Sequence, residues 1–133
     1  MKSISIPAGL ALIVCDDIIE DKFTGKKTLV GIFSQISAPQ FPARHPKLAI
    51  FISFHDAKGD YNSALRIISE KSGAVVVETQ GELHVKSPLD VLDIHFNFMN
   101  IEFPEPGFYN IEFLCSDELV MQRRFAVQEV KPQ

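Results

Sequence analysis

Phe103-Pro104-Glu105-Pro106-Gly107-Phe108-Tyr109-Asn110-Ile111-Glu112-Phe113-Leu114-Cys115 decides how this chain is read. Tyr109, Ile111, Phe113 and Cys115 fall at every second position with Asn110 and Glu112 between them, the period of a β-strand with one buried face. Pro106 presets φ and Gly107 tolerates φ > 0, the pairing a type II turn wants at its two central positions. Ser116-Asp117-Glu118 then turns the chain into Leu119 to Val130, where Phe125 and Val127 again share a face. The stretch therefore predicts a β-hairpin that closes the core of an all-β domain.

The same alternation extends backwards from the hairpin. Leu92, Ile94, Phe96 and Phe98 alternate with polar residues, and after Met99 the apolar phase passes to Ile101 and Phe103, which predicts a bulge that flips the face. Val75 to Val85 reads as a strand with a kink at Gly81, and Leu48 to His55 as one with Leu48, Ile50, Ile52 and Phe54 inward. Tyr61 to Lys71 fits helical spacing as well, but Leu65 and Ile67 alternate with Arg66 and a short turn leads into Val75-Val76-Val77, so it reads as a strand. Thr28 to Ser37 reads as one strand, in which Gly31 marks a bulge or a close backbone approach. Ala38 to Lys47 carries Pro39, Pro42 and Pro46 and reads as a stiff crossover that no ladder can traverse. Ala8 to Ile18, apolar on both faces until Asp16, belongs at a sheet centre or under a covering surface. Asp21 to Lys26 is a turn with Gly25 as its φ > 0 residue. The expected fold is an antiparallel β-sandwich of about eight strands, in one domain spanning residues 1–133.

Composition narrows the function classes. A net charge of −4 and a pI near 5.5 argue against nucleic-acid partners and anionic membrane surfaces, both of which call for a basic patch. The apolar run Ile6 to Cys15 is too short to cross a membrane and is interrupted by Pro7 and Gly9; with no small-residue cleavage pattern around Cys15 it reads as the first strand. Cys15 and Cys115 sit in apolar strand patterns, outside any C-x-x-C unit, as buried free thiols of a reducing cytoplasm would; two cysteines on neighbouring strands could instead pair under oxidising conditions.

Cys15-Asp16-Asp17-Ile18-Ile19-Glu20-Asp21-Lys22, Thr24-Gly25-Lys26-Lys27, Val30-Gly31-Ile32-Phe33 and Phe41-Pro42-Ala43-Arg44-His45-Pro46 together resemble a family of small uncharacterised bacterial proteins. The similarity continues through Phe103-Pro104-Glu105-Pro106-Gly107 and Arg123-Arg124-Phe125-Ala126-Val127 and so spans most of the chain. The resemblance implies an immunoglobulin-like or C2-like sandwich. It implies no activity, and no catalytic residue is carried over.

Two groups of residues invite a functional role. Asp16, Asp17, Glu20 and Asp21 are the densest carboxylates and lie at a strand end, but without the D-x-D-x-D spacing of a calcium loop they read as a solvated acidic edge and no metal is expected. Arg44 and His45 stand in the proline-rich loop, where loop packing competes with ligand contact. His55, His84 and His95 are scattered without zinc spacing. Nucleophile motifs and phosphate-cradling glycine loops are missing, so neither catalysis nor a cofactor is expected.

The leading expectation is a non-enzymatic binding or assembly module that works through protein contacts, with self-association as a homodimer the simplest form. The feature behind it is surplus apolar surface: the first two strands are apolar on both faces, and Phe51 lies on the otherwise polar face of its strand. Phe33 and Val76 are expected to complete the patch around Phe51. The alternative is a small-ligand or metal-binding sandwich using the acidic turn 16–21 and the loop 38–47.

Overall fold

Alternating patterns become nine β-strands: β1 (Ala8–Glu20), β2 (Lys27–Ile32), β3 (Gln35–Ala38), β4 (Ala43–His55), β5 (Gly59–Ser69), β6 (Val75–Val85), β7 (Leu92–Phe103), β8 (Gly107–Cys115) and β9 (Glu118–Glu129). The computed structural model describes residues 6–131, and the ends of the expected domain, 1–5 and 132–133, lie outside the described residues. Two sheets form, one in the order β2-β1-β4-β7 and the other β3-β9-β8-β5-β6. Tyr61 to Ser69 is strand, as its alternation with Arg66 predicts, and β1 is central in its sheet.

The core lies between the sheets. Leu48, Ile50, Ile52 and Phe54 of β4 face Tyr109, Ile111, Phe113 and Cys115 of β8, all within 1% of complete burial, so the hairpin stretch closes the core as its period predicts. Phe113 meets Phe54 at 5.5 Å between ring centroids and Phe96 at 6.5 Å. The β8–β9 hairpin turns on Ser116 and Asp117, whose φ values of 49° and 68° are the two positive angles of a type I′ turn, the form whose twist suits a two-residue hairpin loop.

Several expectations are corrected. The turn at Phe103 to Gly107 joins the two sheets, and Gly107, with φ 142°, is already the first residue of β8 rather than the corner of a type II turn. Tyr109 holds this corner, its hydroxyl donating to the Glu105 carbonyl at 2.6 Å. Thr28 to Ser37 is two strands: β2 pairs with β1, then the chain changes sheets at Phe33 and Ser34, and β3 pairs with β9 in parallel, the one departure from antiparallel pairing among the described residues. The crossover is shorter than expected, because β4 begins at Ala43 and runs through Pro46. β1 pairs with β4 only as far as Ala49, so Pro46 has a neighbouring strand on one side alone, where a missing N–H is tolerated.

Around Met99 the face does flip, without a slip in register. His45 pairs with Ile101 and Lys47 with Met99, leaving Pro46 and Asn100 as an unpaired step on both strands, with Asn100 at φ 52°. Since each strand carries the extra residue, both change face together: Ala43 and His45 point inward before the step, Leu48 and Ile50 after it.

β1 and β2 do the same. Cys15 pairs with Ile32 and Asp17 with Val30, and the skipped step is Asp16 opposite Gly31, whose φ is 68°. A β-carbon on Gly31 would lie 2.3 Å from the Asp16 Oδ2, so the close approach that an in-strand glycine suggests is made to this carboxylate. At the lateral edge Arg123 reaches from β9 to donate to the Leu12 carbonyl of β1 at 2.9 Å, an inward-pointing charge that also guards the open strand edge.

The order β9-β8-β5-β6 is the G-F-C-C′ order of an immunoglobulin variable-type sheet, and the Tyr109 corner stands where such domains carry a tyrosine at the start of their F strand. β4 beside β7 repeats the B–E pair of the facing sheet. The fold is an all-β, immunoglobulin-like sandwich, with β1 added between β2 and β4.

Candidate functional site

The acidic turn comes apart into separate roles. Asp21 Oδ1 accepts from the Phe23 and Thr24 backbone N–H groups at 2.8 Å each, shaping the β1–β2 turn, and these bonds hold its carboxyl below the usual carboxylate value. Asp17 pairs with Lys47 at 3.0 Å and accepts from the Ile18 N–H at 2.9 Å, which likewise lowers it. Glu20 lies 3.7 Å from the Lys27 Nζ. No group of three or more His, Cys, Asp or Glu among the described residues is gathered as a metal site. Asp56 follows His55, which pairs with Ala8 at the start of β1, the opposite end of the strand from Asp16 to Asp21, and Asp60 lies on β5 of the other sheet. Asp56 pairs with His55, and Asp60 accepts from His84 at 2.8 Å.

Asp16 is different. No hydrogen bond or ion pair engages its carboxylate among the described residues, and it faces a cleft of about 360 Å³ where β2 gives way to β3. Gly31, Phe33, Gln35, Ser37 and His45 line the same cleft. His45 packs its ring 5.8 Å from that of Phe33, which in turn meets Phe125 edge-on at 5.9 Å and is thereby anchored to the core. The fold therefore brings Asp16 and His45 together and leaves Asp17, Glu20 and Asp21 outside. Arg44 lines a neighbouring hollow with Pro39, Gln40 and Pro42, next to the cis peptide Phe41–Pro42. Gln35 and Ser37 escape the sequence reading because nothing in a β-branched run marks the residues at which a strand changes sheets.

A second feature occupies the outer face of the β2-β1-β4-β7 sheet. Cys15, Ile18 and Ala49 are buried there in a small cluster separate from the main core, under half-buried Leu29 and Phe51. Register puts Ile13 opposite Phe51, Ile32 opposite Cys15 and Leu29 opposite Ile18, so these apolar side chains share one face. Ile32 is 61% exposed. Around them stand Lys47 with Asp17, Lys27 with Glu20 and His95, and Ser53 donating to Asp93 at 2.7 Å. Phe51 is on the outside, as its alternation predicts, but its expected companions are not. Phe33 packs on the core beside the cleft, and Val76 packs against the core from β6, where it is the extra residue of a bulge.

Cys15 lies in this outer cluster and Cys115 in the main core of the other sheet, both free, so the neighbouring-strand pairing does not arise. Burial raises both thiols, Cys115 to about 11.

The outer rim also sets up a measurable contrast between two histidines. The Lys27 Nζ lies 3.0 Å from His95 Nδ1, and burial together with that ammonium hold the imidazole below its ordinary 6.5. The Asp60 carboxylate raises His84 above the same value. In a proton NMR titration His84 is expected to gain its proton first as pH falls, and His95 last of the two. Because the folded state disfavours the charged form of His95, acidification below 6.5 removes its stabilising contribution and breaks the Lys27 contact. A His95 midpoint at or above that of His84 contradicts the geometry.

Fold and surface together define an immunoglobulin-like β-sandwich with an apolar outer face and a lateral cleft. The chain belongs to the family of unknown function DUF6941, whose sequence pattern matches residues 10–128. Among curated proteins, none matches the sequence closely enough to serve as a relative. Among solved structures, the chain is similar to an immunoglobulin-like protein from Pseudomonas aeruginosa, at 10% identity and a TM-score of 0.46, over 92% of this chain and 96% of that one. No helix among the described residues is long and apolar enough to cross a membrane.

Proposed function

We propose that this domain is a non-enzymatic assembly module and that its partner on the outer face of the β2-β1-β4-β7 sheet is a second copy of the same chain. The observation that carries this is the outer cluster of Cys15, Ile18 and Ala49 beneath Leu29 and Phe51, a second apolar centre with no layer of the described chain over it. An apolar centre with a charged rim is the anatomy of a protein interface. The rim carries Lys27 and Lys47 beside Asp17, Glu20 and Asp93, so a two-fold axis that sets the patch against itself meets opposite charges rather than one sign. Two free buried thiols are in keeping with the cytoplasm as its compartment.

Phe51→Glu tests this reading, because it places a carboxylate at the centre of the patch while leaving the inner face of β4 untouched. Light scattering is expected to give the mass of two chains for the native protein and of one for the variant, with superimposable circular dichroism. A variant that keeps the mass of two chains removes Phe51 from the interface.

A further inference from the structure

The cleft beneath the β2-to-β3 switch meets the rim of the outer apolar face at Ile32, but its chemistry is of another kind. One wall is the Asp16 carboxylate, which makes no hydrogen bond or ion pair among the described residues. Gly31 fixes its place: the left-handed backbone at φ 68° and the lack of a β-carbon let the carboxylate lie directly against β2. The rings of Phe33 and His45, tilted 48° to one another, line the same cleft, and Gln35 and Ser37 of β3 supply an amide and a hydroxyl. A volume of about 360 Å³ falls within the range of small-molecule sites.

An uncompensated carboxylate beside aromatic faces selects for positive charge carried on an apolar body. The carboxylate forms a charge-assisted hydrogen bond with an ammonium, and the negative face of the Phe33 ring attracts the same charge. An anion would meet the Asp16 carboxylate, and no Lys or Arg stands in the cleft lining to offset it. We propose that this cleft is a binding site for a small organic cation, a primary ammonium joined to an aromatic or other apolar group.

The probes are phenethylammonium, 2-phenylethanol and 3-phenylpropanoate, which share an aromatic body and differ in charge, titrated into the isotope-labelled full chain and followed by backbone amide NMR shifts. Phenethylammonium is expected to shift the amides of Gly31, Phe33, Gln35 and Ser37 in a saturable way, the alcohol more weakly, and the carboxylate not at all. Asp16→Asn is expected to weaken the ammonium by about fivefold to twentyfold, leaving the alcohol unchanged. Equal shifts from all three probes, an anion that binds best, or no shift at these amides at millimolar probe overturns the proposal. The ranking on the native chain needs no variant and decides the matter by itself. Repeating it on Phe51→Glu is expected to give the same ranking, so the cleft stands or falls separately from self-association.

Discussion

Phe113→Ala is expected to lower the stability of the folded chain by about 3 to 5 kcal/mol, the usual cost of emptying a phenylalanine site in a closed core. Phe113 is completely buried on β8 and packs against Phe54 of β4 and Phe96 of β7, so its ring joins the two sheets. Neither partner can follow it into the space left behind, because each is fixed in a ladder: Phe54 pairs with Leu92, and Phe96 with Ile50. The loss therefore combines lost burial with a cavity that cannot collapse, and two aromatic contacts add to it. Denaturant unfolding reads the effect as a lower midpoint at unchanged slope. A midpoint close to that of the native chain would mean that the inner face of β8 is assigned wrongly.

Gly31→Ala is expected to cost about 2 to 4 kcal/mol, from two sources that a second substitution separates. The first is conformational, since an L-residue at φ 68° is strained by about 1 to 2 kcal/mol. The second is steric: the new methyl would meet Asp16 at Oδ2, Cγ and Cβ, all within 3.2 Å, and the carboxylate has to leave the cleft. Gly25, at φ 74°, has nothing within 4 Å of its missing β-carbon, so Gly25→Ala carries the strain without the crowding. The difference in unfolding free energy between the two variants measures the crowding at Asp16. Equal losses at both positions would show that Asp16 does not rest on the β2 backbone.

These two positions also mark what the sequence discloses and what it conceals. Phe113 is legible because a strand with one buried face writes a period of two, and Tyr109, Ile111, Phe113 and Cys115 keep it unbroken. Gly31 is legible only as an anomaly. Its role depends on Asp16, fifteen positions earlier, and a β1–β2 register that no local pattern states. The sheet change at Phe33 and Ser34 leaves no trace in a β-branched run, so β2 and β3 read as one strand, and Phe33 is then assigned to the outer face when it turns inward. Pro46 misleads in the other direction. A proline ordinarily bars a ladder, but this one falls where β4 lacks a neighbour on one side and opposite the left-handed Asn100.

The candidate site divides along the same line. Phe51 is placed outside by its strand parity alone, whereas its companions Leu29, Ile13 and Ile32 emerge from cross-strand register. Of the four carboxylates in one short segment, local chemistry identifies Asp21 as a turn residue, but only the fold shows Asp17 and Glu20 beside lysines and Asp16 facing a cleft.

Sedimentation equilibrium of the native chain across a wide concentration range tests the central claim, that the outer apolar face is covered by a second copy. The mass is expected to rise with concentration to twice the 14.9 kDa of the chain and to go no higher. A mass that stays at 14.9 kDa up to the highest concentration contradicts the claim.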